Sequence, residues 1–135
     1  MDNIKIFQDP DCDLFNDTVI RFNKDSYIVS LNNVVIGHFN LLFDMLGIKN
    51  SISIEYELLK KFRNKGLGND FYKIIENYVI NNLKYNQIIL FIKYDNNNSI
   101  NIALKNNYKI DYMYTELMEK CGEMTLFNPF VKVKK

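Results

Sequence analysis

The alternation of apolar and polar positions through the first half of the chain predicts three strands, followed by an abrupt change of period. "SYIVSL" alternates as a strand does, "NN" supplies a tight turn, and "VVIGHFNLLF" returns as the partner strand. Asn32 and Asn33 suit that turn because asparagine tolerates positive φ. "SISIEYELL" alternates strictly, with Ile52, Ile54, Tyr56 and Leu58 on one face and Ser51, Ser53, Glu55 and Glu57 on the other. Such a strand is buried on one side only, or its second face lines a site. From Gly68 the period becomes helical: Phe71, Ile74, Ile75, Tyr78, Val79 and Leu83 form one apolar stripe, while Lys73, Glu76, Asn77 and Asn81 point elsewhere.

"QIILFIK" is a short, continuous, β-branched run that suits a central strand covered on both faces. Strand, helix and strand in succession predict a right-handed crossover onto a parallel neighbour. Beyond it, "NSINIALKN" reads as a shorter helix and "YKIDYMYTEL" as a strand. "GEMTLFNPFVKV" reads as a last strand that Pro129 either bends or places at a sheet edge. Near the start, "IKIF" is a candidate short strand, and "DPDCDLFND" is rich in turn formers, loop with room for one short helix. The expected class is α/β (α+β), a mixed sheet flanked by helices. With no repeat, linker or low-complexity segment, residues 1–135 are expected to form a single domain, long enough to bury a core without disulfides or a structural metal.

Composition narrows the partners. The chain carries 17 basic and 16 acidic residues, a formal charge of +1, so it offers no overall field for nucleic acid or an anionic membrane. Cys12 and Cys121 lie far apart with no CxxC or Cys/His neighbours, as expected of idle thiols in a reducing compartment. The opening "MDNIKIFQDP" has no apolar core of signal-peptide length, and no apolar run approaches the roughly 20 residues that cross a bilayer. The expectation is a soluble, cytoplasmic protein. His38, the single histidine, has no partners at ligand spacing and reads as structural or surface; no metal site is expected.

The candidate chemistry starts at Arg63-Asn64-Lys65-Gly66-Leu67-Gly68-Asn69, between the alternating strand and the long helix. A helix that begins straight after a strand has unpaired N–H groups in its first turn, and glycines let an anion approach them, which makes a phosphate cradle. The spacing is not a dinucleotide fingerprint, because Phe71 stands where its third glycine belongs, and no P-loop follows. A plain strand-to-helix turn that uses glycine for its dihedrals is the alternative reading.

Arg63, Gly66 and Gly68 fit the pattern Arg/Gln-x-x-Gly-x-Gly/Ala, which resembles the acyl-CoA pyrophosphate loop of the GNAT superfamily of N-acetyltransferases. A second block, "NNNSINIALKNNYK", is similar to that family's downstream pattern through Asn96, Ser99, Lys105 and Tyr108, with Asn107 where the family has glycine. The resemblance spans residues 27–116. It implies a centrally splayed sheet with acetyl-CoA as co-substrate. Backbone groups of Tyr56, Glu57 and Leu58 would pair with the pantetheine arm and the thioester carbonyl. The N–H groups from Asn64 through Lys65, Gly66, Leu67 and Gly68 to Asn69 would hold the pyrophosphate, with Arg63 and Lys65 adding charge. Asn96, together with Ser99 at the start of the second helix, would hold the arm from its other side.

The resemblance also implies direct attack by a neutral amine on the thioester, which needs a proton acceptor and an acid for the leaving thiolate. The family's tyrosine acid falls on Ala103, and the glutamate carried by members that acetylate ribosomal-protein N-termini falls on Phe91, so neither carries over. Candidates from the residues themselves are Glu55 and Glu57 on the strand, each with a solvated strand face as the alternative, and Tyr94 at the end of the central strand, where a rim or core role competes. Asp70 suits the helix dipole yet would repel a pyrophosphate, so it is expected to point away from the loop.

Three functions remain in competition. One is an N-acetyltransferase acting on the primary amine of a small molecule or peptide. The second is an inactive acyl-CoA-binding module working through a protein partner. The third is an interaction module unrelated to CoA. The short region before Tyr27 suggests an open acceptor side, and Phe127, Phe130 and Val131 beside Pro129 suggest a homodimer surface.

Overall fold

The expected hairpin closes at Asn32 and Asn33, whose φ angles of 51° and 68° are both left-handed. They join β2 (Asn23–Leu31) to β3 (Val34–Phe43). The structure, a computed structural model, describes residues 3–9 and 23–134. The turn-rich stretch from residue 10 to 22, with its expected short helix and Cys12, lies outside the described residues.

The remaining strands are β1 (Ile4–Gln8), β4 (Ser51–Leu58), β5 (Gln87–Lys93), β6 (Lys109–Ile110) and β7 (Phe127–Val133), with helices α1 (Gly68–Asn82), α2 (Asn97–Lys105) and α3 (Thr115–Lys120). Hydrogen bonds order the strands β1-β2-β3-β4-β5-β7-β6. The sheet is mixed: β4 and β5 run parallel, whereas β1/β2, β5/β7 and β6/β7 are antiparallel. Contacts divide the chain into two units, Met1–Leu42 with Ile54–Leu83 and Phe43–Ser53 with Lys84–Lys135.

In the first unit the core is aromatic. Tyr27 stacks on Phe39 with ring centroids 4.7 Å apart, and Tyr78 of α1 meets both rings edge-on. Burial pushes the Tyr27 hydroxyl well above the ordinary tyrosine range, with Tyr78 and Asp25 adding to the shift. Helix α1 buries Phe71, Ile75 and Val79 as its stripe predicts, but also Tyr72 and Glu76. Glu76, expected to point away, is only 7% exposed, because the buried face is wider than the apolar stripe.

Strand β4 departs from one-sided burial. Ser51, Ile52, Ser53 and Ile54 are all buried, so its first half is covered on both faces; small serines tolerate this, and the Ser51 hydroxyl donates to the Ile48 carbonyl at 2.7 Å. Exposure begins at Glu55, which is half-buried, and Glu57 is exposed.

In the second unit β5 is the expected central strand. It pairs in parallel with the start of β4, from Ser51↔Gln87 to Ser53↔Ile89, and antiparallel with β7 along its whole length. Ile48, Ile89 and Val131 form a core cluster here, with Leu46, Phe91, Tyr114 and Leu117 packed against it.

Two expectations need correction. β7 is an interior strand, and Pro129 lies within it. That is tolerated because β6 pairs only with Phe130 and Val131, and beyond them Asp111 N–H donates to the Pro129 carbonyl at 2.9 Å, which asks for no amide from proline. The stretch "YKIDYMYTEL" is extended only at Lys109 and Ile110. The Asp111 carboxylate then accepts the Met113 N–H at 2.9 Å, caps a 3-10 turn over Tyr112–Tyr114 and leads into α3. Phe130 and Val131, expected on a dimer surface, are buried inside this unit.

Candidate cofactor-binding and active site

The part of strand β4 from Ile54 onward, the loop after it and the first turn of α1 belong to one unit and carry most of the residues singled out above. After Leu58 the chain makes a 3-10 turn over Lys60–Phe62, and Arg63 folds back. Its Nε donates to the Leu58 carbonyl at 2.8 Å, and its guanidinium pairs with the Glu57 carboxylate at 2.9 Å. Arg63 therefore clamps the end of β4. Glu57 is correspondingly held by a cation, although both side chains remain nearly half exposed, where such a pair contributes little to stability.

The loop reverses through left-handed residues at Asn64 (φ 61°) and Gly66 (φ 73°). A Cβ at Gly66 would meet nothing within 4 Å, so the fold asks for glycine there through its dihedral, not through crowding. Helix α1 then starts at Gly68 behind Leu67, which has no side-chain oxygen to cap it, and the first helical bond is Phe71 N–H to the Leu67 carbonyl. The first-turn amides of Gly68, Asn69 and Asp70 precede that bond, an arrangement suited to receiving an anion. Lys60, Lys61, Arg63 and Lys65 surround the turn with positive charge, and Lys61 lies over the Phe62 ring at 5.2 Å. Asp70 is exposed in the first turn.

Packing fixes this turn to the strand. The Tyr56 ring meets Phe71 and Tyr72 of α1 at centroid distances of 6.3 and 5.2 Å. Gly37 of β3, which the sequence reading passed over, is part of the same assembly: a Cβ there would lie 2.6 Å from the Glu57 carbonyl oxygen and 2.6 Å from Cζ of Phe71. The signal available in the sequence was an isolated glycine inside a strand pattern, which marks close backbone approach.

The opposite face of β4 carries Glu55. Its carboxylate accepts from Asn40 Nδ2 at 3.4 Å, and the Ser26 hydroxyl donates to Asn40 Oδ1 at 2.8 Å. Ser26 and Asn40 are both buried. Alternation along β3 places His38, half-buried, on the same face as Asn40.

The other candidates belong to the second unit. Tyr94 follows β5, is 60% exposed, and its backbone N–H donates to the Leu126 carbonyl at 2.9 Å. Asn96 caps α2: its Oδ1 accepts the Ser99 N–H at 3.2 Å, an arrangement in which its NH₂ group could donate to a ligand. The Ser99 side chain is half-buried. Asn107 has the expected left-handed backbone, φ 68°. The two departures from the family pattern have structural uses: Ala103 is fully buried in α2, without room for a tyrosine, and Phe91 packs on the second unit's core cluster. Cys121 is exposed as a free thiol. A cavity of about 170 Å³ beside α3, lined by Met118, Met124, Phe127 and Pro129, contains none of the candidate catalytic or cofactor-binding residues. Among the described residues no group of three His, Cys, Asp or Glu side chains is placed to hold a metal, and no helix is long and apolar enough to cross a membrane.

No protein-family model and no curated protein matches this sequence. Solved structures do match its fold. The N-acetyltransferase PseH of Campylobacter jejuni superposes with a TM-score of 0.68 at 14% identity over 98% of this chain and 99% of its own. The same enzyme in complex with acetyl coenzyme A gives 0.63 at 16% identity over 83% of this chain and 69% of its own. The Salmonella typhimurium acetyl transferase that modifies the N-terminal serine of ribosomal protein L7/L12 gives 0.58 at 12% identity, over 85% and 66%. The fold is therefore the N-acetyltransferase fold expected from the loop and the second sequence block.

Proposed function

We propose that this chain, acting as one acetyltransferase domain over residues 1–135, transfers an acetyl group from acetyl-CoA to the primary amine of a small molecule or peptide. The observation that carries this reading is the uncapped start of α1 behind a left-handed, glycine-containing turn, in a chain that shares its fold with acetyl-CoA-dependent enzymes. In this reading the amides of residues 64–69 would hold the pyrophosphate, and backbone groups of residues 56–58 would pair with the pantetheine arm. The thioester supplies an activated acyl carbon. Arg63, engaged with Leu58 and Glu57, keeps the strand end in register with the loop and adds charge beside it. Lys65, exposed in the loop, adds a second charge, and Asn96, through its amide group, and Ser99 are assigned as further contacts to the arm.

Glu55 is assigned as proton acceptor for the attacking amine. It is half-buried and hydrogen-bonded through Asn40, whereas Glu57 is exposed and paired with Arg63. Tyr94 is assigned as the hydroxyl that returns a proton to the leaving thiolate.

Acetyl-CoA at about 100 times its dissociation constant is expected to stabilise the protein by about 2.7 kcal/mol. For a chain of 135 residues that corresponds to a rise in Tm of roughly 10 °C. A thermal scan without any shift at millimolar acetyl-CoA or CoA contradicts the reading. A buried alanine at 103 and a half-buried phenylalanine at 91, where the family's most transferable catalytic side chains would stand, favour a second reading as an acyl-CoA-binding module acting through a protein partner. Thiol release above background with a panel of polyamines, amino acids, aminoglycosides and peptides eliminates that alternative.

A further inference from the structure

We infer that Asn40 is a positioning residue that fixes the orientation and proton affinity of Glu55, with Ser26 fixing Asn40 in turn; the catalytic meaning of this rests on the assignment of Glu55 as proton acceptor. Three neighbouring strands each contribute one polar side chain to a single line, Ser26 from β2, Asn40 from β3 and Glu55 from β4.

Asn40 is 0% exposed, and a buried amide is costly unless both of its ends are satisfied. An ionised carboxylate can only accept hydrogen bonds, so the amide must turn its NH₂ toward Glu55. Its oxygen then faces the opposite way and requires a donor, which the Ser26 hydroxyl provides at 2.8 Å. Reversing the amide would set its oxygen against the carboxylate and leave its NH₂ toward Ser26. The carboxylate therefore selects the orientation, and the Ser26 hydroxyl holds it by donating to the amide oxygen that this orientation turns toward it. The donor bond of 3.4 Å is long, as hydrogen bonds at a catalytic group often are before substrate draws the site together.

A donor to the charged form lowers a carboxyl's proton affinity, so the Asn40 amide favours the ionised form of Glu55, the form that can accept a proton. Among the described residues, the other ionisable or charged groups that alternation, register and the loop bring to this face are Lys5 of β1 and Asp9 just after it, Lys24 of β2, His38 of β3, Glu57 of β4 and Arg63. Arg63 already neutralises Glu57. The neutral Asn40 amide tunes Glu55 without adding a charge to this set.

The test is an NMR titration of the Glu55 side-chain carboxyl, assigned by its loss in Glu55→Gln, in the wild type, Asn40→Leu, Ser26→Ala and Ser26→Thr. The midpoint is expected to rise by up to about one pH unit in Asn40→Leu, by less in Ser26→Ala, and to stay in place in Ser26→Thr, which keeps the hydroxyl. If Asn40→Leu does not fold, Ser26→Ala decides, since it removes only an oxygen. An unchanged midpoint in the folded variants overturns the inference. The acid limb of kcat/KM for acetyl transfer is expected to move with the midpoint, which a merely structural role would not cause. A midpoint that moves while the acid limb stays in place upholds the positioning of Glu55 and refutes its assignment as proton acceptor.

Discussion

Glu55→Gln is expected to lower kcat for acetyl transfer by about 100- to 10,000-fold, the range associated with loss of a positioned general base. Glutamine keeps the size and a hydrogen-bonding oxygen for Asn40, so the line from Ser26 survives and stability changes little. On the proposed assignment the amine, by contrast, loses its proton acceptor. Affinity for acetyl-CoA should be unaffected, because the assigned contacts to that ligand are backbone groups of residues 56–58 and 64–69. Glu57→Gln provides the contrast. It removes a half-exposed ion pair with Arg63, so it should loosen the end of β4 and raise KM for acetyl-CoA while leaving kcat within a few-fold. Steady-state kinetics on both variants separates the roles. A Glu55→Gln enzyme retaining activity within threefold of wild type would remove Glu55 from the mechanism.

Gly37→Ala is expected to destabilise the protein by about 3 kcal/mol, toward the upper end of the usual cost of overpacking. One of the two atoms that its Cβ would meet at 2.6 Å is the carbonyl oxygen of Glu57, part of the backbone, which no rotamer change can move. The other is on the Phe71 ring, which is buried and in contact with Tyr56, so yielding there disturbs the packing of α1 on β4. A fall in Tm of roughly 10 °C follows for a chain of this size. In the variant that still folds, affinity for acetyl-CoA should fall too, because the displaced carbonyl belongs to the strand end assigned to the pantetheine arm. A Tm within about 1 °C of wild type would show that β3 and β4 are not held as closely as described.

Elements specified by local chemistry were legible in the sequence. The Asn32-Asn33 turn needs only residues that tolerate positive φ, α1 needs only its period, and the loop before it needs glycine at a left-handed position. What depends on neighbours was not legible. The first half of β4 reads as one-sided because serine and isoleucine alternate, yet β3 and β5 flank it and both of its faces are covered. "YKIDYMYTEL" has strand-like residues, but Asp111 satisfies the following backbone locally and turns it into a 3-10 turn and α3. Pro129 reads as an edge signal because a sequence does not show that β6 ends before reaching it.

The candidate site divides in the same way. Its left-handed turn and helix start were legible from Gly66 and Gly68, whereas the clamp of Arg63 on Leu58 and Glu57 needed the strand end brought back to the loop. Asn40 was hidden in "GHFNLLF", where one polar residue in an apolar strand carries no indication that its partners are a serine and a glutamate on the strands either side.

In the proposed function the start of α1 and the turn before it grip the pyrophosphate of acetyl-CoA through their amides. Amide chemical-shift mapping during a titration with acetyl-CoA tests it most directly. The largest, saturable shifts are expected on residues 64–69, accompanied by residues 56–58, and Gly68→Leu is expected to abolish them by closing the approach to the helix start. Saturable binding that shifts other regions and leaves 64–69 unmoved would contradict it, as would a titration with no shifts at all.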